Sequence, residues 1–151
     1  MMALLLLAAD PPKPAAPLVP AVPPASIDGL PIGGIARQAL PARGCAAYLF
    51  SNGERRTLAA MAGAESASLR LSLDGVTSDY PRAEESGTGG YGFGASTTYR
   101  AGDVTATLDM TIATRGDLTA GAAVPAATLR IDRPGKDTIV LPLSGLIGCA
   151  T

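Results

Sequence analysis

Hydrophobic and polar side chains alternate with a period of two along most of the chain after residue 43. In residues 104–114, every second side chain from Val104 to Ile112 is apolar, and the side chains between them are polar. A helix would need apolar positions three and four residues apart, so the pattern predicts β-strands. We expect a strand in each of eight segments: 45–50, 55–61, 68–73, 76–80, 96–100, 104–114, 127–132 and 137–147.

The segments between these strands carry typical turn residues. Asn52-Gly53 and Asp74-Gly75 predict two-residue hairpin turns, because both positions of each pair tolerate positive φ. Eight short strands with one apolar face each must bury those faces against one another. The sequence therefore predicts an all-β fold, an antiparallel β-sandwich of about eight short strands, with a small β-barrel as the alternative.

Prolines separate the N-terminal part of the chain from this β domain. Nine of the thirteen prolines lie between residues 11 and 41. Residues 10–26 are rich in Pro and Ala and predict an extended tether that is not globular. Residues 27–43 are an irregular lead-in, too interrupted by Gly and Pro for more than one helical turn over 35–40. The β domain is expected to cover residues 44–151.

An apolar leader, residues 1–9, precedes the tether. Nine helical residues reach about 14 Å, against about 30 Å of bilayer hydrocarbon, so we expect no stable membrane span. The leader resembles the apolar region of a secretory signal peptide, with the small residues Ala8 and Ala9 where a peptidase could cut. No basic residue precedes it, which fits a truncated signal peptide. We expect a periplasmic or secreted protein; a cytoplasmic protein with a disordered N-terminus is the alternative.

The two cysteines lie at opposite ends of the predicted β domain. Cys45 opens the first predicted strand and Cys149 follows the last. An even cysteine count and an export leader together favour a disulfide between them. Two buried free thiols are the alternative.

Composition excludes several classes of chemistry. The chain has no His, no Trp and only two Cys. It therefore has no Ser-His-Asp triad, no His-ligated metal site and no four-cysteine zinc site. A net charge of -1 gives no basic surplus for nucleic acid. Ten Arg against two Lys, with abundant Ala and Gly, is typical of a GC-rich bacterial genome. We expect no catalytic residue, no metal and no cofactor.

A glycine-rich stretch at residues 87–92 matches the letters of the dinucleotide-binding pattern. That pattern requires a following helix, whereas Ser-Thr-Thr-Tyr here favours a strand, so nucleotide binding is not expected. The stretch predicts a flexible loop between strands, and loops on rigid β scaffolds commonly bind ligands. The candidate ligand-binding residues are Tyr91, Phe93, Tyr99 and Arg100. The alternative is that the aromatic side chains cover the edge of the core.

Two functions follow from these observations. The first is an exported, non-catalytic protein that binds a protein or envelope partner through loops or a strand edge. The second is a small hydrolase or lyase that uses carboxylates without a metal. Convergence of at least two residues of one set in a concave site would favour the enzyme: Asp79, Glu84, Glu85, Tyr91 and Arg100. The sequence assigns no oligomeric state.

Overall fold

The structure, a computed structural model, describes residues 11–12 and 22–151. The predicted leader, residues 1–9, and residues 10 and 13–21 of the predicted tether lie outside the described residues. The described chain contains nine β-strands and no helix. The strands are β1 (Ile32–Gly33), β2 (Cys45–Ser51), β3 (Leu58–Gly63), β4 (Ser68–Leu73), β5 (Val76–Ser86), β6 (Ser96–Ala101), β7 (Val104–Ala113), β8 (Gly121–Asp132) and β9 (Ile139–Cys149).

All eight predicted strands are present, which confirms the all-β class. Strands β2 to β9 pair antiparallel with their neighbours, β9 pairs with β2, and β4 pairs with β5, so eight strands close into a barrel. The expected sandwich is thereby corrected to its alternative, the small barrel. The physical reason is the length of β5. Its residues 76–81 pair with β4 and its residues 82–86 pair with β6, so one bent strand joins both parts of the sheet.

Side chains fill the inside of the barrel. Along each strand, alternate residues point inward, as in β4, where Leu69, Leu71 and Leu73 are buried. Tyr99 of β6 and Leu108 of β7 reach the same core from the other side. An eight-stranded barrel encloses a space that is just wide enough for such side chains. The core is therefore the interior of the barrel itself.

One end of the barrel, here called the turn end, contains the β4–β5 turn. Asp74 and Gly75 have φ values of 50° and 81°, which confirms the predicted two-residue turn. The Arg133 Nη1 donates to Asp74 Oδ2 at 2.6 Å, and the Arg133 side chain is only 8% exposed. Ile27 and Ile32 are buried at this end, where β1 pairs with the last two residues of β4. Part of the irregular lead-in thus contributes to the core.

The predicted two-residue turn at Asn52-Gly53 is wrong. β2 ends at Ser51 and β3 begins at Leu58, and neither Asn52 nor Gly53 has a positive φ. The buried Ser51 organises the longer connection instead. Its backbone amide donates to the Thr57 carbonyl at 2.9 Å, and its hydroxyl accepts from the Thr57 amide at 3.1 Å. This backbone bond and this side-chain bond hold the connection together in place of a two-residue Asn-Gly turn.

The rest of the lead-in, residues 34–43, crosses the outside of the barrel without regular structure. The helical turn predicted over 35–40 is absent. The Ile35 amide donates to the Leu58 carbonyl at 2.8 Å, and the Tyr48 hydroxyl donates to the Ala39 carbonyl at 2.7 Å. These bonds hold the segment against the outer faces of β2 and β3.

Candidate functional site

The predicted disulfide between Cys45 and Cys149 is confirmed. The two residues are directly opposite each other where β2 pairs with β9. Their backbone hydrogen bonds point away from each other, since the Cys45 carbonyl accepts from Ala64 and the Cys149 amide donates to Ala120. Side chains of such a pair are closest together in an antiparallel sheet. The bridge joins the strand that begins the barrel to the strand that ends it, and we call this end the disulfide end.

A groove of about 490 Å³ lies on the outside of the barrel near the disulfide end. We call it the outer groove. One wall is the lead-in segment, and the floor is the outer face of β2, β3 and β4. Its lining residues are mostly small or polar: Ala39, Pro41, Ala42, Arg43, Cys45, Ala46, Met61, Gly63, Glu65, Ser66, Ser68, Arg70 and Asp79.

Arg70 fixes the wall of the outer groove. Its Nη1 donates to Gln38 Oε1 at 2.6 Å, which anchors the lead-in. Its Nε and Nη2 donate to the two carboxylate oxygens of Asp79 at 2.7 and 3.0 Å. This bidentate hydrogen bonding lowers the pKa of the Asp79 carboxyl below its ordinary value. Asp79 therefore remains anionic and is a poor proton acceptor.

The opening of the outer groove carries charges of both signs. Arg43 and Glu65 are exposed, and neither forms an ion pair with any residue that the structure describes. The hydroxyls of Ser66 and Ser68 lie 3.1 Å apart and hydrogen-bond to each other. The groove thus offers a cation, a carboxylate and hydroxyls to a ligand. It can donate and accept hydrogen bonds, and one of its two carboxylates, Asp79, is held in an ion pair with Arg70.

The structure places the three predicted aromatic residues in or against the core and leaves Arg100 elsewhere. Phe93 and Tyr99 are buried in the core, and Tyr91 packs partly buried against it. Burial raises the pKa of Tyr99 to about 12. Arg100 points to the outer face, where its Nη1 lies 3.3 Å from the Glu84 carboxylate. Arg100 therefore lies apart from the aromatic side chains, which pack in or against the core.

The glycine-rich loop folds over the disulfide end. Gly90 and Phe93 form an isolated β-bridge, and Gly90 and Gly92 have positive φ. Tyr91 between them also has a positive φ, 58°, which is unusual for a bulky side chain. Its hydroxyl lies 3.3 Å from the Thr114 Oγ1, at the end of β7. The turn directs Phe93 inward, so the loop closes the barrel.

The carboxylates considered for acid–base chemistry lie beside arginines. Glu84 faces Arg100, and Glu85 accepts from Arg82 at 2.9 Å. Of the five residues whose convergence would favour a hydrolase or lyase, only Asp79 lines the outer groove.

Sequence reasoning did not single out Arg43, Glu65 or Arg70. A signal for the Arg70–Asp79 pair was present, because a two-residue turn at Asp74-Gly75 pairs residues that are equally distant from it on either side. Nothing in the sequence indicated that the lead-in would lie across the barrel and form a groove. That contact joins Gln38 and Arg70, which are 32 residues apart.

Across residues 11–12 and 22–151, no helix is long and apolar enough to cross a membrane. In the same part of the chain, no group of three or more Cys, Asp or Glu side chains is arranged to hold a metal ion. No protein-family model matches the chain, and comparison with curated proteins and with solved structures gave no significant match.

Proposed function

We propose that this protein is an extracytoplasmic, non-catalytic binding protein that holds a protein or envelope partner in the outer groove. The main observation is the groove itself, about 490 Å³ in volume, on the outside of the barrel. It is flanked by Arg43 and Glu65, neither of which forms an ion pair within residues 11–12 and 22–151. Small-molecule and cofactor sites have volumes of roughly 300–1,000 Å³ and contain a few polar groups that fix orientation. The outer groove meets both criteria.

The disulfide supports a location outside the cytoplasm. Disulfides persist in oxidising compartments and are rare where thiols are kept reduced. The apolar leader, residues 1–9, supports export independently, because it resembles the central region of a signal peptide. The Pro/Ala-rich residues 10–26 would then separate the barrel from the point of export.

The state of the charged groups supports binding rather than catalysis. One of the two carboxylates that line the groove, Asp79, is hydrogen-bonded twice by Arg70, which lowers its pKa. A general base needs a pKa close to the working pH, so this carboxylate is poorly suited to proton transfer. The chain also contains no His that could activate the Ser66 or Ser68 hydroxyl.

The lining of the groove indicates the chemistry of the ligand. Ala46 and Gly63 leave room along the floor and Ala42 along the wall, while Arg43 and Glu65 offer opposite charges at the opening. A polar ligand with both donors and acceptors, such as an extended polypeptide segment, satisfies both kinds of group. We expect such a segment to lie along the lead-in.

Site-specific photo-crosslinking tests this proposal. A photoreactive amino acid at Ser68, on the groove floor, is compared with the same residue at Lys136, an exposed position in the β8–β9 turn. Both proteins are irradiated in their native envelope extract. We expect a discrete adduct from position 68 alone, weakened by Arg43→Glu. Equal adducts from both positions, or none from position 68, would contradict the proposal.

A further inference from the structure

A second cleft, separate from the outer groove, lies on the outer face of β2 and β9. Its volume is about 320 Å³, and its lining residues are Phe50, Arg56, Gly145 and Leu146. We call it the arginine cleft. None of these four residues lines the outer groove. An inference about the arginine cleft therefore does not depend on the proposed function.

Two contacts hold the Arg56 guanidinium at this cleft. Its Cζ lies 5.6 Å from the centre of the Phe50 ring, within the range of a cation–π contact. Its Nη2 donates to the Ser144 hydroxyl at 3.2 Å, and that hydroxyl donates to Asn52 Oδ1 at 2.8 Å. Asn52, which forms no two-residue turn, thus orients the acceptor of this cation. The guanidinium is in position before any ligand arrives, which lowers the entropic cost of binding.

The positive charge of Arg56 is not compensated in the part of the chain that the structure describes. There, Arg56 forms no ion pair, and the same is true of Arg37, Arg43 and Arg55. Among these four described arginines, only Arg56 is held by a side-chain hydrogen bond and an aromatic ring. No acidic residue lines the arginine cleft. The cleft therefore presents a fixed cation that can form charge-assisted hydrogen bonds with an anion.

The rest of the lining is apolar. Leu146 is 49% exposed, and Phe50 is half-buried. At Gly145 the floor is bare backbone, because a Cβ there would collide with the Tyr48 carbonyl oxygen. Volumes of small-molecule sites begin at roughly 300 Å³, so the cleft admits only a small ligand. Apolar walls beside one cation match a ligand that joins an apolar group to a single negative charge.

We propose that the arginine cleft binds a small, free carboxylic acid. The carboxylate pairs with Arg56, and the aromatic ring or short alkyl chain of the ligand lies against Leu146. One carboxylate neutralises one guanidinium, whereas a phosphate ester would bring close to two charges to a single cation. An exposed ion pair alone is weak. Burial of the apolar part of the ligand supplies the rest of the affinity.

Titration with phenylacetate, followed by nuclear magnetic resonance, tests the proposal. This probe carries one carboxylate and one aromatic ring. We expect saturable shifts of the Gly145 and Leu146 amide signals. Two further probes each lack one part of the ligand: phenylethanol has a hydroxyl in place of the carboxylate, and acetate has no ring. Each should bind at least about tenfold more weakly than phenylacetate.

Arg56→Gln removes the cation and should raise the dissociation constant for phenylacetate at least about tenfold. The matched control is Arg55→Gln, because Arg55 is the adjacent arginine and does not line the arginine cleft. It should leave the dissociation constant unchanged. Leu146→Ala is a second variant, used if Arg56→Gln does not fold, and should weaken the binding of phenylacetate but not of acetate. Unchanged circular dichroism establishes that each variant retains the barrel.

Three results would overturn the proposal. The first is the absence of saturable shifts at Gly145 and Leu146 with phenylacetate. The second is a dissociation constant that Arg56→Gln leaves unchanged, or that Arg55→Gln raises as much. The third is acetate binding as tightly as phenylacetate, because an ion pair alone would then account for the affinity. Crosslinking from position 68 in the outer groove can succeed or fail independently of all three.

Discussion

Replacing both cysteines of the disulfide should greatly lower the free energy of unfolding of the barrel. The bridge between Cys45 and Cys149 has a sequence separation of 104. Closing a loop of about 100 residues restricts the unfolded chain and contributes about 4.7 kcal/mol to stability in the chain-entropy model. The β2–β9 ladder remains in the folded state of the variant. We therefore expect Cys45→Ala/Cys149→Ala to lower the free energy of unfolding by about 4 kcal/mol, most of it through the unfolded state.

Urea unfolding followed by circular dichroism measures this loss. Because the variant's unfolded chain is no longer cross-linked and exposes more surface, the dependence of its free energy on urea should also steepen. Glu84→Gln is the control, since the exposed Glu84–Arg100 pair contributes at most about 1 kcal/mol. A loss below about 1 kcal/mol for the cysteine variant, or an equal loss for the control, would refute the reasoning from loop closure.

Two further predictions concern the aromatic residues. Phe93→Ala should lower the free energy of unfolding by about 3–5 kcal/mol because it empties the closed end of the core. Tyr91→Ala should cost clearly less, since Tyr91 is only partly buried; equal losses in urea unfolding would mean that Phe93 does not plug the barrel. Burial raises the pKa of Tyr99 to about 12 from an ordinary 10.0, so the unfolded chain releases this proton first. The contribution of Tyr99 to the free energy of unfolding is therefore retained below pH 10 and falls as the pH rises from 10 to 12. Tyr99→Phe should reduce that fall in the free energy of unfolding by up to about 1.4 kcal/mol per pH unit. Tyr48 and Tyr80 have raised pKa values in both proteins, so the difference between the two proteins reports Tyr99 alone. An equal fall in both proteins would contradict the assignment to Tyr99.

The strands were predictable because their signal is local. Leu69, Leu71 and Leu73 alternate with polar residues, and β4 has the predicted bounds. The prediction missed the start of β8, since Ala122 and Ala123 are both alanine and show no period of two. It also missed the end of β5, where Glu84 and its neighbours are exposed and polar and show no apolar alternation.

The closure of the barrel and the outer groove were not predictable in the same way. Both depend on contacts between distant segments. The bend in β5 arises from a register shift between Arg82 and Glu84, and no hydrophobic pattern marks it. The groove depends on the Gln38–Arg70 contact, for which neither residue type is distinctive. The disulfide was an exception among the distant contacts, because two cysteines permit only one intramolecular pairing.

The disulfide also gives the barrel the connectivity of a covalent ring. From Cys45 the backbone passes through all eight barrel strands to Cys149, and the bridge returns it to its starting point. A ring has no first or last strand, so one cut in a surface loop opens it without dividing it. Cleavage within residues 87–94 would leave a single molecule whose strand order is circularly permuted, from β6 through β9 and the bridge to β2 and on to β5.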